Sequence, residues 1–105
     1  MKTYDTIVDG ITYTIVIGQN KYENWELIDD ADPSDIWFHS ATTPSAHIIL
    51  YAPKNGIIPS YIIRLCANKI GSRDVIFTKI SNIRKGRHTG EAVILDTKQL
   101  YRNTI

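Results

Sequence analysis

The sequence predicts one α+β domain in which two helices pack on a mixed or antiparallel β-sheet. Segments with the two-residue alternation of strands occur in pairs, and two segments with helical spacing separate those pairs, which gives the order ββ-α-ββ-α-ββ. The chain has 105 residues, of which 43% are hydrophobic. This size and composition suit a single domain over residues 1–105 and exclude a disordered chain.

The first pair of strands is predicted at residues 4–8 and 11–17. Asp9-Gly10 between them is typical of a two-residue type I′ hairpin turn. In the second segment isoleucine and tyrosine alternate with threonine, which predicts a strand with one buried face. Gly18 ends it.

A short helix is predicted over residues 21–29. Asn20 and Glu23 have the spacing of a capping box, in which the Asn20 side chain accepts from the Glu23 backbone N–H and Glu23 reaches back. Pro33 follows the acidic end of this segment and prevents the helix from continuing.

The second pair of strands carries the sequence Asp-Ile-Trp-Phe-His at residues 35–39 and, after a short loop, a second histidine. We expect the two strands to pair antiparallel with His39 beside His47. Trp37 then lies opposite Ile49, on the same face of the sheet as both histidines.

A second helix is predicted from Pro59 to about residue 70, because its apolar residues recur at helical spacing and proline suits a helix start. Gly71 is a plausible residue to end it. Cys66 falls on the apolar face, where a buried, unreactive thiol is expected.

The last third of the chain predicts two strands, at residues 75–81 and 91–96. A basic loop over residues 82–90 separates them. Residues 97–105 are left as a polar tail.

Charge divides the chain into two unequal halves. Residues 1–39 hold eight acids and two bases, a net charge of −6, whereas residues 40–105 hold ten bases and three acids, a net charge of +7. This asymmetry indicates an anionic partner for the second half. No signal peptide and no apolar run of membrane-spanning length is visible, so we expect a cytoplasmic protein with no membrane partner. The single cysteine excludes an internal disulfide and a cysteine-rich zinc site.

The basic loop is the first candidate site, because several cationic side chains on a short glycine-bearing turn can reach adjacent phosphates. The alternative is a solvated loop with no ligand. The candidate nucleic-acid-binding residues in and around the loop are Arg84, Lys85, Arg87, His88, Lys79, Arg73 and Lys69.

The second candidate is the group Asp35, His39 and His47, which could ligate a metal or supply a general base. We favour the alternative, an aromatic cluster with hydrogen-bonded histidines, since metal sites normally need three convergent ligands and a supporting shell. In a third interpretation Trp37 and the histidines form a stacking surface for an unpaired base. No nucleophile triad, P-loop or dinucleotide fingerprint is present, so we expect no enzyme activity, no cofactor and no metal.

Several motifs together resemble the NFACT-R domain, a predicted RNA-binding module of ribosome quality-control factors. The matching segments, between about Ile11 and Val93, are Gly-Gln-Asn-Lys-Tyr-Glu-Asn at 18–24, Asp-Ile-Trp-Phe-His at 35–39 and Ser-Ala-His at 45–47. The likeness is greatest to the small branch represented by coiled-coil domain-containing protein 25. Longer members have Pro-Gly-Ser-His where this chain has Pro-Ser-Ala-His, and their other domains have no counterpart here.

This resemblance implies a stand-alone module that binds RNA, such as tRNA or ribosomal RNA, with DNA as a further possibility. It matches Trp37, His39 and His47 to the family signature and Arg84-Lys85 with Gly90 to the family's basic segment. Two alternatives remain open at this point: a module that docks on a ribosome-associated or other protein complex, and a small metal-dependent enzyme that uses Asp35, His39 and His47.

Overall fold

A six-stranded antiparallel sheet forms the centre of the molecule, which is described by a computed structural model over residues 1–53 and 56–104. The strands run in the spatial order β1-β2-β4-β3-β5-β8, and β6 and β7 form a separate two-stranded hairpin. The predicted α+β class with two helices is confirmed. The elements are β1 (Lys2–Val8), β2 (Ile11–Ile17), α1 (Lys21–Asp30), β3 (Ile36–Ser40), β4 (Ile48–Leu50), α2 (Ser60–Ile70), β5 (Asp74–Lys79), β6 (Ile83–Lys85), β7 (Ala92–Ile94) and β8 (Tyr101–Thr104).

The two faces of the sheet bury two different apolar clusters, because successive residues of a strand point to opposite sides. One face packs against α2, and its cluster contains Phe38, Ile48, Leu50, Ile62 and Cys66. The opposite face is covered by α1 and the β6–β7 hairpin, and its cluster contains Trp37, Ile49, Leu27, Ile80 and Ile83. The helices therefore lie on opposite layers of the sheet, and the hairpin shares a layer with α1.

The register between β3 and β4 is the one expected from the sequence. Trp37 pairs with Ile49, and Phe38 pairs with Ile48. Continuing this antiparallel ladder by one residue sets His39 beside His47. The turn at Asp9-Gly10 is likewise confirmed, with positive φ angles of 52° and 77°.

Both helices begin and end close to the predicted residues. At the start of α1 the Asn20 side chain accepts from the backbone N–H groups of Tyr22 and Glu23. Glu23 reaches back by one residue more than a capping box requires, since it accepts from the backbone N–H of Gln19. Pro59 is the N-cap of α2, and Gly71 ends the helix with a left-handed φ of 79°.

The C-terminal segment differs from the expected polar tail. After a short 3₁₀ helix at Thr97–Gln99, β8 pairs with β5 and completes one edge of the sheet. The Tyr101 ring stacks on Phe77 at 5.7 Å between centroids, so this segment gains an aromatic contact as well as backbone hydrogen bonds. Ile105, the last residue of the expected tail, lies outside the described residues.

The segment before the basic loop also differs from expectation. β5 stops at Lys79, and a 3₁₀ helix over Ile80–Asn82 turns the chain across the sheet. Part of the expected basic loop is strand β6, so its cations lie on a hairpin instead of on an irregular loop. Neither of the described helices, of 10 and 11 residues, has the length and apolar character needed to cross a membrane.

Candidate nucleic-acid interface

His39 and His47 lie side by side where β3 ends and β4 begins, and Trp37 packs against both. The two imidazole rings are nearly perpendicular, with centroids 5.0 Å apart. The Trp37 ring is nearly parallel to His39, at 8° and 5.6 Å, and its indole Nε1–H donates to Nδ1 of His47 at 3.2 Å. The register of two strands thus creates a three-ring cluster that adjacent sequence does not provide.

The protonation of His47 follows from this hydrogen bond and from burial. Because Nδ1 accepts the indole N–H, the proton of the neutral ring is on Nε2. The side chain is 3% exposed, and burial, with a smaller contribution from neighbouring His39, lowers the pKa of His47 to about 4. At neutral pH His47 therefore offers a hydrogen-bond donor at Nε2.

The half-buried ring of His39 has the complementary arrangement. Its Nδ1 lies 2.6 Å from the carbonyl oxygen of Ser40, and a carbonyl only accepts, so Nδ1 carries the proton. In the neutral form of His39, Nε2 is then an acceptor. One face of the ring packs on Trp37, which leaves the other face for a ligand.

The backbone of His47 is held from two sides by the segment that leads into α1. Its carbonyl oxygen accepts from the Gly18 N–H at 3.0 Å, and its N–H donates to the Asn24 Oδ1 at 3.2 Å. A Cβ at position 18 would collide with that same Asn24 oxygen, so a larger residue there would displace the Asn24 side chain from His47. These contacts fix the histidine pair relative to the start of α1.

An open cleft of about 710 Å³ lies above the histidine pair. The start of α1, the segment that leads into β4 and the tip of the β6–β7 hairpin form its walls. Residues that line it include Gly18, Lys21, Asn24, His39, His47 and Gly90. A smaller cavity of about 210 Å³ continues under the hairpin and shares both histidines and Gly90 with the cleft.

The hairpin is docked on α1 by contacts along its length. The Trp25 indole N–H donates to the carbonyl oxygen of Glu91 at 2.9 Å, and Lys85 forms an ion pair with Asp29 at 2.9 Å. Gly90 has a φ of 89°, and a Cβ there would lie 2.7 Å from the Cβ of Lys21. The close approach of Gly90 to the helix brings the hairpin tip to the mouth of the cleft.

Among the predicted basic residues, those of the hairpin are near the cleft. Arg84, Arg87 and His88 are exposed, and Arg87 and His88 immediately precede Thr89 and Gly90 of the cleft wall. The ammonium group of Lys85 is occupied by Asp29 and also lies 5.2 Å from the centre of the Trp25 ring. The hairpin also carries one acid, because the Glu91 carboxylate accepts from the Arg87 backbone N–H at 3.1 Å.

The other three predicted bases are not gathered with the hairpin. Lys69 belongs to α2 on the opposite layer, where its ammonium lies 3.8 Å from the centre of the Tyr4 ring. Lys79 pairs with Ile36 in the ladder, at the end of β3 far from His39. Arg73 is exposed in the turn between α2 and β5. The predicted binding bases of the second half therefore do not form one continuous surface.

The metal interpretation does not match the geometry of its three residues. The Asp35 carboxylate accepts from the backbone N–H groups of Asp32 and Ala52, each at 2.8 Å. Asp35 also lies four residues from His39, which is about 13 Å along an extended strand. Over residues 1–53 and 56–104, no three histidine, cysteine, aspartate or glutamate side chains converge on a metal position.

The structure does not allow a base to stack directly on Trp37. Trp37 is 2% exposed, since His39 and the hairpin cluster cover it, so its ring has no open face. Trp37 instead supports both histidines. Three residues of the cleft, Gly18, Lys21 and Asn24, were not predicted as site residues from the sequence. The spacing of Gly18 and Asn24 is visible in the sequence, but it does not indicate that the Asn24 oxygen binds the His47 backbone.

Comparison with known proteins identifies relatives of this chain. No protein-family model matches it. It is 36% identical over 91 residues to coiled-coil domain-containing protein 25 of Mus musculus, an alignment that covers 74% of this chain and 44% of that protein. It is 28% identical over 115 residues to the homologue of that protein in Dictyostelium discoideum, with 95% of this chain and 55% of the relative covered. The chain thus spans about half the length of these relatives.

A solved structure shares the fold. It is the C-terminal part of the fibronectin/fibrinogen-binding protein of Streptococcus suis, with a TM-score of 0.75, 21% identity, and coverage of 95% of this chain and 43% of that one. At this identity the likeness concerns the fold alone. The chain is accordingly a homologue of the proteins named coiled-coil domain-containing protein 25, in a fold that also occurs in a bacterial fibronectin/fibrinogen-binding protein.

Proposed function

We propose that this chain is a non-catalytic RNA-binding module of the NFACT-R type that acts in the cytoplasm. The surface that binds RNA is the hairpin tip together with the cleft beside it. The single observation that carries the proposal is that the exposed bases Arg84 and Arg87 lie on the hairpin whose tip, at Thr89 and Gly90, lines a cleft that also contains Lys21. The RNA is tRNA or ribosomal RNA in the first instance, and DNA is an outcome of the test.

The charge arrangement supports phosphate binding on this layer. Arg84 and Arg87 are both exposed; the Arg84 side chain donates to the Lys85 carbonyl, and Arg87 donates to Glu91 through its main-chain N–H. Arginine presents a planar set of donors that fits phosphate oxygens, and each neutralised phosphate releases condensed counterions. The hairpin is also fixed on α1 by Trp25 and Lys85, so little ordering of the protein is needed when RNA binds.

The motif match supports the choice of RNA over other anions. Of the residues that carry the NFACT-R resemblance, His39 and His47 line the cleft, and the buried Trp37 packs against both. The names of the relatives state no ligand. The name of the bacterial neighbour concerns fibronectin and fibrinogen, and its low identity gives no reason to transfer those partners.

The test compares two charge-reversal variants in a titration with labelled tRNA and labelled single-stranded RNA. In Arg84→Glu/Arg87→Glu the hairpin loses two exposed bases. In Arg64→Glu/Lys69→Glu the net charge changes by the same amount on α2, on the opposite layer. We expect the hairpin variant to weaken binding at least tenfold for all sequences alike and the α2 variant to change it little. If both variants lost RNA affinity equally, the loss would follow from the change in net charge alone, and the proposed surface would be contradicted.

A second candidate is a protein-docking module that uses the acidic side of α1. The structure assigns Glu23 to the cap of the helix and Asp29 to Lys85, which leaves Glu26 and Asp30 exposed for a basic partner. A Glu26→Lys/Asp30→Lys variant would then lose partners in a nuclease-treated pull-down. Retention of the same partners would exclude this surface.

A further inference from the structure

We propose that the cleft holds one unpaired nucleotide, with its base on the free face of His39, its polar edge at the Nε2–H of His47, and its phosphate at Lys21. This inference rests on the RNA binding proposed above and adds to it a specific subsite. The hairpin would bind the backbone of the RNA, and the cleft would bind a nucleotide that is not base-paired.

The size of the cleft suits such a ligand. Pockets for small molecules generally have volumes of roughly 300–1,000 Å³, and this cleft has about 710 Å³. It is open at the hairpin tip, so a nucleotide can enter while its neighbours in the strand remain on the hairpin. A paired nucleotide does not have this freedom, because its base is stacked and its edge is occupied by the opposite strand.

His47 provides the hydrogen-bond donor for the edge of the base. It presents Nε2–H, because its Nδ1 is held as an acceptor by the Trp37 indole. A base that stacks on His39 lies parallel to that ring and does not meet His39 Nε2, which accepts in the ring plane. The Watson–Crick edge of each RNA base carries an acceptor next to a donor. The His47 Nε2–H is therefore suited to the acceptor of a nucleobase edge, and it does not by itself select one base.

The stacking surface is His39 backed by Trp37. The rings are parallel within 8°, and Trp37 is almost fully enclosed, so the outer face of His39 is the one open to the cleft. Single-stranded RNA is commonly bound by stacking on aromatic side chains, including histidine. The nearly perpendicular His47 ring, with its centroid 5.0 Å away, presents an edge beside that face.

A phosphate ion alone fits the cleft less well than a nucleotide. Of the lining residues in the described chain, Lys21 carries the permanent charge, and it lies at the wall against Gly90. The lining also includes the two histidine rings and Ala46, a surface typical of base binding. Lys21 then has the role of contacting the phosphate that accompanies the base.

The two tryptophans of the chain give the test an internal control, since each indole N–H has a distinct environment. The Trp37 N–H lies behind the histidines, and the Trp25 N–H binds the hairpin at Glu91. We would titrate the ¹⁵N-labelled 105-residue chain with adenosine 5′-monophosphate, cytidine 5′-monophosphate and inorganic phosphate at one ionic strength. Both nucleotides are expected to shift the Trp37 indole and the His39 and His47 ring signals more than the Trp25 indole.

His39→Ala tests the stacking contact. It is expected to weaken nucleotide binding roughly tenfold or more, since a stacked base contributes about 1–3 kcal/mol. Tyr61→Ala, which removes an exposed ring from α2, should leave nucleotide binding unchanged. Shifts of the same signals by inorganic phosphate would show an anion site and overturn the inference. So would an absence of shifts with both nucleotides.

These failures are distinguishable from failure of the proposed function. If single-stranded RNA binds and depends on Arg84 and Arg87 while the cleft signals stay unchanged, the nucleotide subsite is wrong and RNA binding stands. If no RNA binds at low salt, the proposed function is wrong.

Discussion

The Trp37 indole donates to Nδ1 of His47 across 3.2 Å, from strand β3 to the residue that immediately precedes β4. This bond determines which nitrogen of His47 carries the proton and places a donor, Nε2–H, at the cleft. His39 packs on the other side of the same indole. The chemistry of the candidate site therefore depends on one buried tryptophan that a ligand does not touch.

Stability of the protein should fall as the pH is lowered from about 6.5 to about 4, because of His47. The pKa of His47 is about 4 in the folded protein and has its ordinary value of 6.5 in the unfolded chain. Between these two pH values His47 binds a proton in the unfolded chain but not in the folded protein. The full decrease is about 3 kcal/mol and ends near pH 4, where both states are protonated. The free energy of unfolding in urea would be measured at several pH values for the wild type and for His47→Asn. Both chains have the same carboxylates, so the difference between the two pH profiles is the contribution of His47. A pH dependence unchanged in His47→Asn would contradict the assignment.

Trp37→Phe should destabilise the protein by about 1–3 kcal/mol, because it leaves the buried Nδ1 of His47 without a donor. Without the indole donor the proton of the His47 ring should no longer be held on Nε2, and ¹⁵N chemical shifts of the ring report this change directly. Trp25→Phe, which removes the hydrogen bond to Glu91, is the control that keeps the His47 tautomer. An unchanged ring spectrum in Trp37→Phe would show that the indole does not set the proton position.

Gly90→Ala should cost more stability than Gly10→Ala. Both glycines have left-handed φ angles, 89° and 77°, so both variants incur the backbone penalty of about 1–2 kcal/mol. A Cβ at position 10 meets nothing within 4 Å, whereas a Cβ at position 90 meets Lys21. Only Gly90→Ala should therefore displace the hairpin, which the indole N–H signal of Trp25 reports. Equal unfolding free energies for the two variants would mean that the hairpin does not press on α1.

Cys66 should not react with thiol reagents in the folded protein at pH 8. Its side chain is fully buried between α2 and the sheet, and burial raises the pKa of the thiol to about 12, so almost no thiolate is present. Labelling with a chromogenic disulfide should proceed only as fast as the protein unfolds, and denaturant should make it immediate. Rapid labelling without denaturant would contradict the packing of α2 on the sheet.

The parts of the fold that follow from local chemistry could be predicted from the sequence. The turn at Asp9-Gly10, the cap at Asn20, the helix end at Gly71 and the alternation around Trp37 depend on residues close in the chain, and the structure confirms them. The predicted pairing of Trp37 with Ile49 is also confirmed. The alternation of side chains excludes a shift by one residue, which would put the two on opposite faces, but it does not exclude a shift by two.

The parts that depend on distant segments could not be predicted. β8 is too polar to show strand character, and it forms because β5 has a free edge and Phe77 offers its ring to Tyr101. Likewise the charge total of the second half gave no hint that Lys69 lies on one layer and Arg87 on the other, or that Lys85 is paired with Asp29. Lys21 became a site residue only through its contact with Gly90.

The measurement that tests the central claim most directly is the affinity for single-stranded RNA as a function of salt, compared between the wild type and Arg84→Glu/Arg87→Glu. We predict that wild-type affinity falls steeply between about 50 and 200 mM salt and that the variant has a shallower slope, by roughly 0.7 for each phosphate that it no longer neutralises. The α2 variant Arg64→Glu/Lys69→Glu should keep the wild-type slope. Binding that is indifferent to salt, or the same slope in the wild type and the hairpin variant, would contradict the assignment of the hairpin and cleft as the RNA-binding surface.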